Sequence, residues 1–236
     1  GKVFQKTSFT TVIPKDNSVT IPSDSYSRIG NVFVWDRTIS LESYEISQCE
    51  VTQELYEFVM GTLPVDDSDS VYPGDVQKLR PATGMSWFDA LEFCNKLSKL
   101  CGYEEVYILK NIKRKNNNSY IYSADISCDL SKNGFRLPTE AEWEFAARGA
   151  GVTLADWNYE YPGSDNYKKT AWSIMNSSGY SDDDLTIRTH EVGSRQPNIL
   201  GIYDMAGNAS EWCFDFWNCK QPGYDAEIPE GDTYKY

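Results

Sequence analysis

Between Asp204 and Glu211 the chain reads Asp204-Met205-Ala206-Gly207-Asn208-Ala209-Ser210-Glu211, two carboxylates seven positions apart around a glycine-containing turn. Such a turn can aim backbone carbonyls inward. Oxygen-only ligation suits Ca²⁺, which takes roughly six to eight oxygens in adaptable geometry, far better than zinc. The same residues also read as a capped turn with two surface carboxylates, and composition leaves both readings open. A second acidic run, Asp182-Asp183-Asp184, reads as a solvated loop whose charges repel one another unless a counter-ion is present. His190 is the single histidine, which argues against zinc or iron sites built on several imidazoles. It lies between Thr189 and Glu191, away from any Gly-x-Ser-x-Gly nucleophile elbow, and phosphate-binding glycine loops are missing. The six cysteines, Cys49, Cys94, Cys101, Cys128, Cys213 and Cys219, show no Cys-x-x-Cys spacing and read mostly as buried thiols, with Cys213 and Cys219 as core or disulfide residues.

Regular elements must position these groups. Thr139 and Glu142 form a capping box ahead of a short helix whose Trp143, Ala146 and Ala147 make one apolar face, with Gly149 suited to a left-handed stop. Thr52 caps an earlier helix with a stripe of Leu55, Phe58 and Val59, a staple between Val51 and Tyr56, and Gly61 as terminator. Ser86 begins a third, with Trp87, Ala90, Leu91, Cys94 and Leu97 at helical spacing, which places Cys94 in the core. Phe9 to Ile13 predicts one strand in an irregular lead-in. Val32 to Trp35 and Ile39 to Ile46 predict the first paired strands. Val106 to Leu109 and Tyr120 to Tyr122 predict a hairpin, with Lys113-Arg114-Lys115 at its solvated tip. After Gly149, turn-rich segments predict long ordered loops.

With 236 residues, seven Trp, sixteen Tyr and ten Phe, the chain can bury one sizeable core while supporting many loops. One domain over 1–236 is expected, residues 1–35 being the lead-in. A formal net charge of −13 argues against nucleic acid or an anionic membrane surface as the main partner. No apolar run approaches the ~18 residues of a membrane span. Gly1 stands where an initiator Met would, so export remains open with no signal segment in the chain.

Three ordered segments carry a family resemblance: Tyr44 to Gly61 with Met85 to Ser98, then Phe135-Arg136-Leu137-Pro138-Thr139-Glu140-Ala141-Glu142-Trp143, then Val192-Gly193-Ser194-Arg195 through Gly207-Asn208-Ala209-Ser210-Glu211-Trp212. Over residues 40–217 the chain resembles the formylglycine-generating enzyme, or sulfatase-modifying factor, family. The resemblance implies an α+β, C-type-lectin-like fold of short helices, twisted antiparallel strands and long ordered loops. It implies a structural calcium held by the side chains of Asp204 and Glu211 and the main-chain oxygens of Gly207 and Ala209. A second family calcium would draw on Asp184, but the Asn that should partner it is replaced by Trp172.

Enzymes of the family oxidise a sulfatase cysteine to formylglycine with two copper(I)-binding cysteines that follow an Arg-Gly-Gly-Ser-type segment. No such segment occurs here, and Ser210 stands where those enzymes have Trp beside the active site, so copper is not expected. The resemblance therefore implies a non-catalytic ligand-binding protein on a lectin-type scaffold, of the kind found as variable proteins of diversity-generating retroelements. The alternative is an oxidase whose C-terminal catalytic segment lies outside this sequence. A plain structural subunit is a third reading. The expected partner is a protein or small ligand, the expected state a monomer, and the expected location outside the cell or on its surface.

Overall fold

The computed structural model describes residues 17–28, 37–64, 74–115, 120–152, 157–177 and 188–215. Its first part is a two-stranded ribbon in two stretches. Strand β1 (Ser18–Ile21) pairs antiparallel with β4 (Tyr44–Ser47), and β2 (Asp24–Arg28) with β3 (Arg37–Leu41). The register runs from Ser18 opposite Ser47 to Ile21 opposite Tyr44, then resumes at Asp24 opposite Leu41. Pro22 and Ser23 face Glu42 and Ser43 at the interruption, where proline cannot donate to a ladder. The Ser43 hydroxyl donates to the Ile21 carbonyl at 2.9 Å and holds the two stretches together.

This corrects the strand reading. Residues 39–46 fall in two strands, each paired with an upstream segment that was not read as a strand. The strands predicted at Phe9 to Ile13 and Val32 to Trp35 lie outside the described residues.

Helix α1 (Gln53–Met60) starts at Thr52, whose hydroxyl accepts the Leu55 N–H, and stops at Gly61 in the left-handed region with φ +83°. Leu55, Tyr56 and Val59 are buried, whereas Phe58 is 42% exposed, so the apolar face is turned from the one the spacing predicted. Helix α2 (Trp87–Cys101) opens with a capping box between Ser86 and Asp89. The second Asp89 oxygen accepts the Ile121 N–H at 2.9 Å, which pins the helix to the hairpin of β5 (Tyr107–Lys115) and β6 (Tyr120–Cys128). Arg114, expected at a solvated tip, instead reaches Glu92 of α2 at 2.8 Å. Helix α3 (Glu140–Ala147) has the predicted Thr139–Glu142 capping box, and a fork from Arg136 to both Glu142 oxygens at 2.6 and 2.7 Å completes it. A single-turn α4 (Tyr167–Thr170) follows further along the chain.

Two apolar clusters hold these elements. The first gathers α1, α2 and the β5–β6 hairpin around Leu91, Leu97, Val106 and Ile121, with Cys94 in it as expected and Phe214 added from the far end of the chain. The second packs the ribbon's Ile21 against Phe145, Ala146 and Ala147 of α3, together with Ile202 and Met205. Asn198 locks that second cluster. Its amide donates to the carbonyls of Ala146 and Ala147 and its oxygen accepts from the N–H groups of Leu200 and Ile202. The α3 carbonyls, which no further helical turn would satisfy, are thus bonded to a side chain 51 residues downstream.

Candidate functional site

The turn from Asp204 to Glu211 rises directly out of the second cluster, since Ile202 and Met205 are core residues. Tyr203 is laced to the ribbon's exit by its N–H to the Gln48 carbonyl at 2.8 Å. Asp204 and Asn208 both adopt left-handed backbone, with φ of +59° and +70°. Two such non-glycine residues within five positions mark a turn that its surroundings hold in place, because each conformation costs free energy by itself. Gly207 is required for a different reason. A Cβ there would lie 1.9 Å from the Trp172 carbonyl oxygen, which accepts the Asn208 N–H at 2.9 Å.

Asp204 is buried, 3% exposed, and its Oδ2 accepts the Gly193 N–H at 2.6 Å. Its other oxygen, Oδ1, is buried with no hydrogen-bond partner. Burial pushes the Asp204 carboxyl above its ordinary range, and the Gly193 N–H only partly offsets this. Glu211 lies at the rim. Protein crowding around its carboxyl pushes it upward, the nearby Trp143 indole N–H opposes that, and the Asp204 charge adds to it, while open surface on the residue lets water screen all three. That indole N–H comes near Glu211 without closing a well-formed hydrogen bond.

A third carboxylate joins them. Glu50, between β4 and α1, accepts the Ala209 N–H at 2.9 Å and the Asn208 amide at 2.8 Å. Burial raises its carboxyl well above the usual range, and the charges of Glu211 and Asp204 raise it further. Asn208 is the hub, since its oxygen also accepts the His190 N–H at 2.8 Å and its amide also donates to the His190 carbonyl at 3.1 Å.

The charges of Asp204, Glu211 and Glu50 act against one another, and Asp204 keeps a buried oxygen without a hydrogen-bond partner. Among the described residues no three His, Cys, Asp or Glu side chains form a metal-ligating group, so a cation here would also need main-chain oxygens. The carbonyls of Gly207 and Ala209 lie in the same turn. Of the expected residues, Asp204, Gly207, Ala209 and Glu211 lie in this one turn, while Asp184 lies outside the described residues. Sequence reasoning missed Glu50, whose local context is a strand exit and a helix cap. The signal for Asn208 is an amide directly after glycine in a turn.

Residues 8–235 match the sulfatase-modifying factor enzyme 1-like domain. The chain belongs to this family. Among related proteins, the Chaperone protein LppX of Paenibacillus barcinonensis is 34% identical over 197 residues, 77% of this chain and 65% of that protein. The Formylglycine-generating enzyme of Streptomyces coelicolor is 39% identical over 103 residues, 43% of this chain and 32% of the enzyme. The chain thus spans less than two thirds of the length of either relative. A solved structure, Treponema denticola variable protein 1, superposes with a TM-score of 0.70 at 32% identity, covering 88% of this chain and 75% of that one. The fold is the C-type-lectin-like fold of the sulfatase-modifying factor family, with the short helices and antiparallel strand pairs that the resemblance implied.

Proposed function

We propose that this member of the sulfatase-modifying factor family is a non-catalytic ligand-binding protein that uses the scaffold to display loops to a protein or small ligand. In this reading a single structural Ca²⁺ is held by the side chains of Asp204 and Glu211 and the main-chain oxygens of Gly207 and Ala209. The ion would neutralise the carboxylates around the turn and fix the loops that follow it. A monomer, displayed outside the cell, completes the proposal.

The observation that carries the reading is the likeness to Treponema denticola variable protein 1 at 32% identity over most of both chains. Burial pushes the thiols of Cys49, Cys94 and Cys213 each up to about 12, as for cysteines that serve the core. For Cys213 the neighbouring charges of Asp215, Glu211, Glu140 and Glu142 act in the same direction. Ser210, in place of the enzymes' Trp, points the same way.

Incubation with a sulfatase-type cysteine peptide, copper(I) and oxygen tests the non-catalytic reading. No aldehyde should appear by mass spectrometry or hydrazide capture, and its formation would establish the oxidase instead. Thermal unfolding in EGTA and in Ca²⁺ tests the ion. At a free concentration near 100 times the dissociation constant, a native-state ion adds about 2.7 kcal/mol and raises the midpoint by roughly 5–10 °C. Asp204→Asn and Glu211→Gln should each abolish most of that rise, and an unchanged midpoint in the parent protein would remove calcium from the site.

A further inference from the structure

The second cation implied by the family resemblance does not fit what stands at residue 172. Trp172 has no side-chain oxygen to offer, and its carbonyl is engaged by the Asn208 N–H at 2.9 Å. Both faces of its ring are covered. The Arg195 guanidinium lies 3.5 Å from the ring centroid on one side, and the His190 ring stacks at 3.6 Å and 18° on the other. A guanidinium in that position repels a metal cation and already supplies the positive charge the ion would bring.

Both ends of the column are anchored. Arg195 Nη1 donates to the Lys168 carbonyl at 2.9 Å, and the Trp172 indole N–H donates to Ser194 Oγ at 2.8 Å. His190 Nδ1 lies 2.9 Å from Asp75 Oδ2, and neighbouring backbone joins the same strap, the Val76 N–H donating to Glu191 and the Val192 N–H to the Leu79 carbonyl. The column is also tied to the carboxylate turn. Asn208 donates its N–H to Trp172 and exchanges two hydrogen bonds with the His190 backbone.

We propose that the Arg195–Trp172–His190 column is a metal-free clasp standing in for a second cation, joining segments 74–80, 168–177 and 188–196 to the 204–211 turn, so that the chain takes one Ca²⁺ where the resemblance implies two. The count of one rests on the proposed Asp204–Glu211 site, whereas the clasp stands on its own geometry. Burial holds the His190 imidazole below its ordinary range, the Asp75 charge opposes this, and the charges of Arg195 and Arg80 reinforce it. The stack thus sets a cation on one face of the indole and an imidazole on the other.

The test combines ion counting with stability. Equilibrium dialysis of the full chain against Ca²⁺ should saturate at one ion per chain, and two per chain would overturn the proposal. Arg195→Met keeps the aliphatic stem and removes the charge. Its unfolding midpoint should fall by roughly 2–8 °C, equally in EGTA and in saturating Ca²⁺. Arg195→Lys should recover part of the loss, and near-ultraviolet circular dichroism should report Trp172 released from its stack in Arg195→Met and less so in Arg195→Lys. A loss confined to EGTA, or none in either condition, would refute the clasp. Zero bound ions in the parent with the Arg195→Met loss intact would remove the calcium proposal and leave the clasp standing.

Discussion

Replacing Asn208 by alanine probes the centre of the site without touching a proposed cation ligand. The substitution removes the acceptor of the His190 N–H, one of the two donors to Glu50, and the donor to the His190 carbonyl. His190 is 1% exposed, so water cannot replace the lost acceptor. An orphaned buried N–H costs about 1–3 kcal/mol, and a hydrogen bond to a charged group is worth about 1.5–3 kcal/mol. Holding alanine at the φ of +70° seen at this position adds roughly 1 kcal/mol. These contributions share atoms and do not simply add, so the expected loss is about 3–5 kcal/mol. Urea unfolding followed by circular dichroism reads it as a lower midpoint with an unchanged m-value. Asn208→Gly separates the causes, because it accepts the left-handed backbone while losing the same hydrogen bonds. It should lie roughly 1 kcal/mol above the alanine variant even though glycine carries more unfolded-state entropy. A loss below about 1 kcal/mol for Asn208→Ala would refute the assignment of Asn208 as the hub.

Acid should act through the Arg136–Glu142 fork. Burial alone would raise the Glu142 carboxyl, but the Arg136 guanidinium and the bonds with Thr139 hold it below its ordinary value of 4.5. A depressed folded-state pKa means that its contribution is present above 4.5 and is lost as pH falls through the folded value. Glu142→Gln should therefore cost roughly 1–3 kcal/mol near neutral pH and almost nothing at the acid end, as read from stability curves measured from neutral pH into the acid limb. The rotation of α1 gives a contrast in packing. Leu55→Ala should lose about 2–5 kcal/mol in the same urea assay and Phe58→Ala less than about 1 kcal/mol, the reverse of what equal membership of one stripe would give.

The helices were legible because their signals are local. Thr52 with Gly61, and Thr139 with Glu142, lie within one helix length of each other and form as read, and Ser86 starts its helix as read, with Asp89 completing a capping box that was not foreseen. Phe58 was misplaced because a short helix offers too few turns to distinguish adjacent faces, and tertiary packing chose Tyr56 instead. Strand β2, DSYSR, is polar and gave no signal, whereas β1, SVTI, carries a short alternation of β-branched residues that was passed over, and the partners of both are set by long-range register. The same distinction applies to the site. Asp204 and Glu211 share one turn and could be read together, whereas Glu50 meets Ala209 from 159 positions away. The stack on Trp172 draws its rings and charge from loops, where no periodicity records which side chains will meet.

Residues 202–214 place Ile202 and Met205 in one apolar cluster and Phe214 in the other, while Glu50 waits at the start of α1 for Ala209 and Asn208. A nascent chain emerging from a ribosome can form its helices early, yet neither cluster closes until this late segment is made. The segment is made after the helices it packs against, so its docking completes both clusters at once.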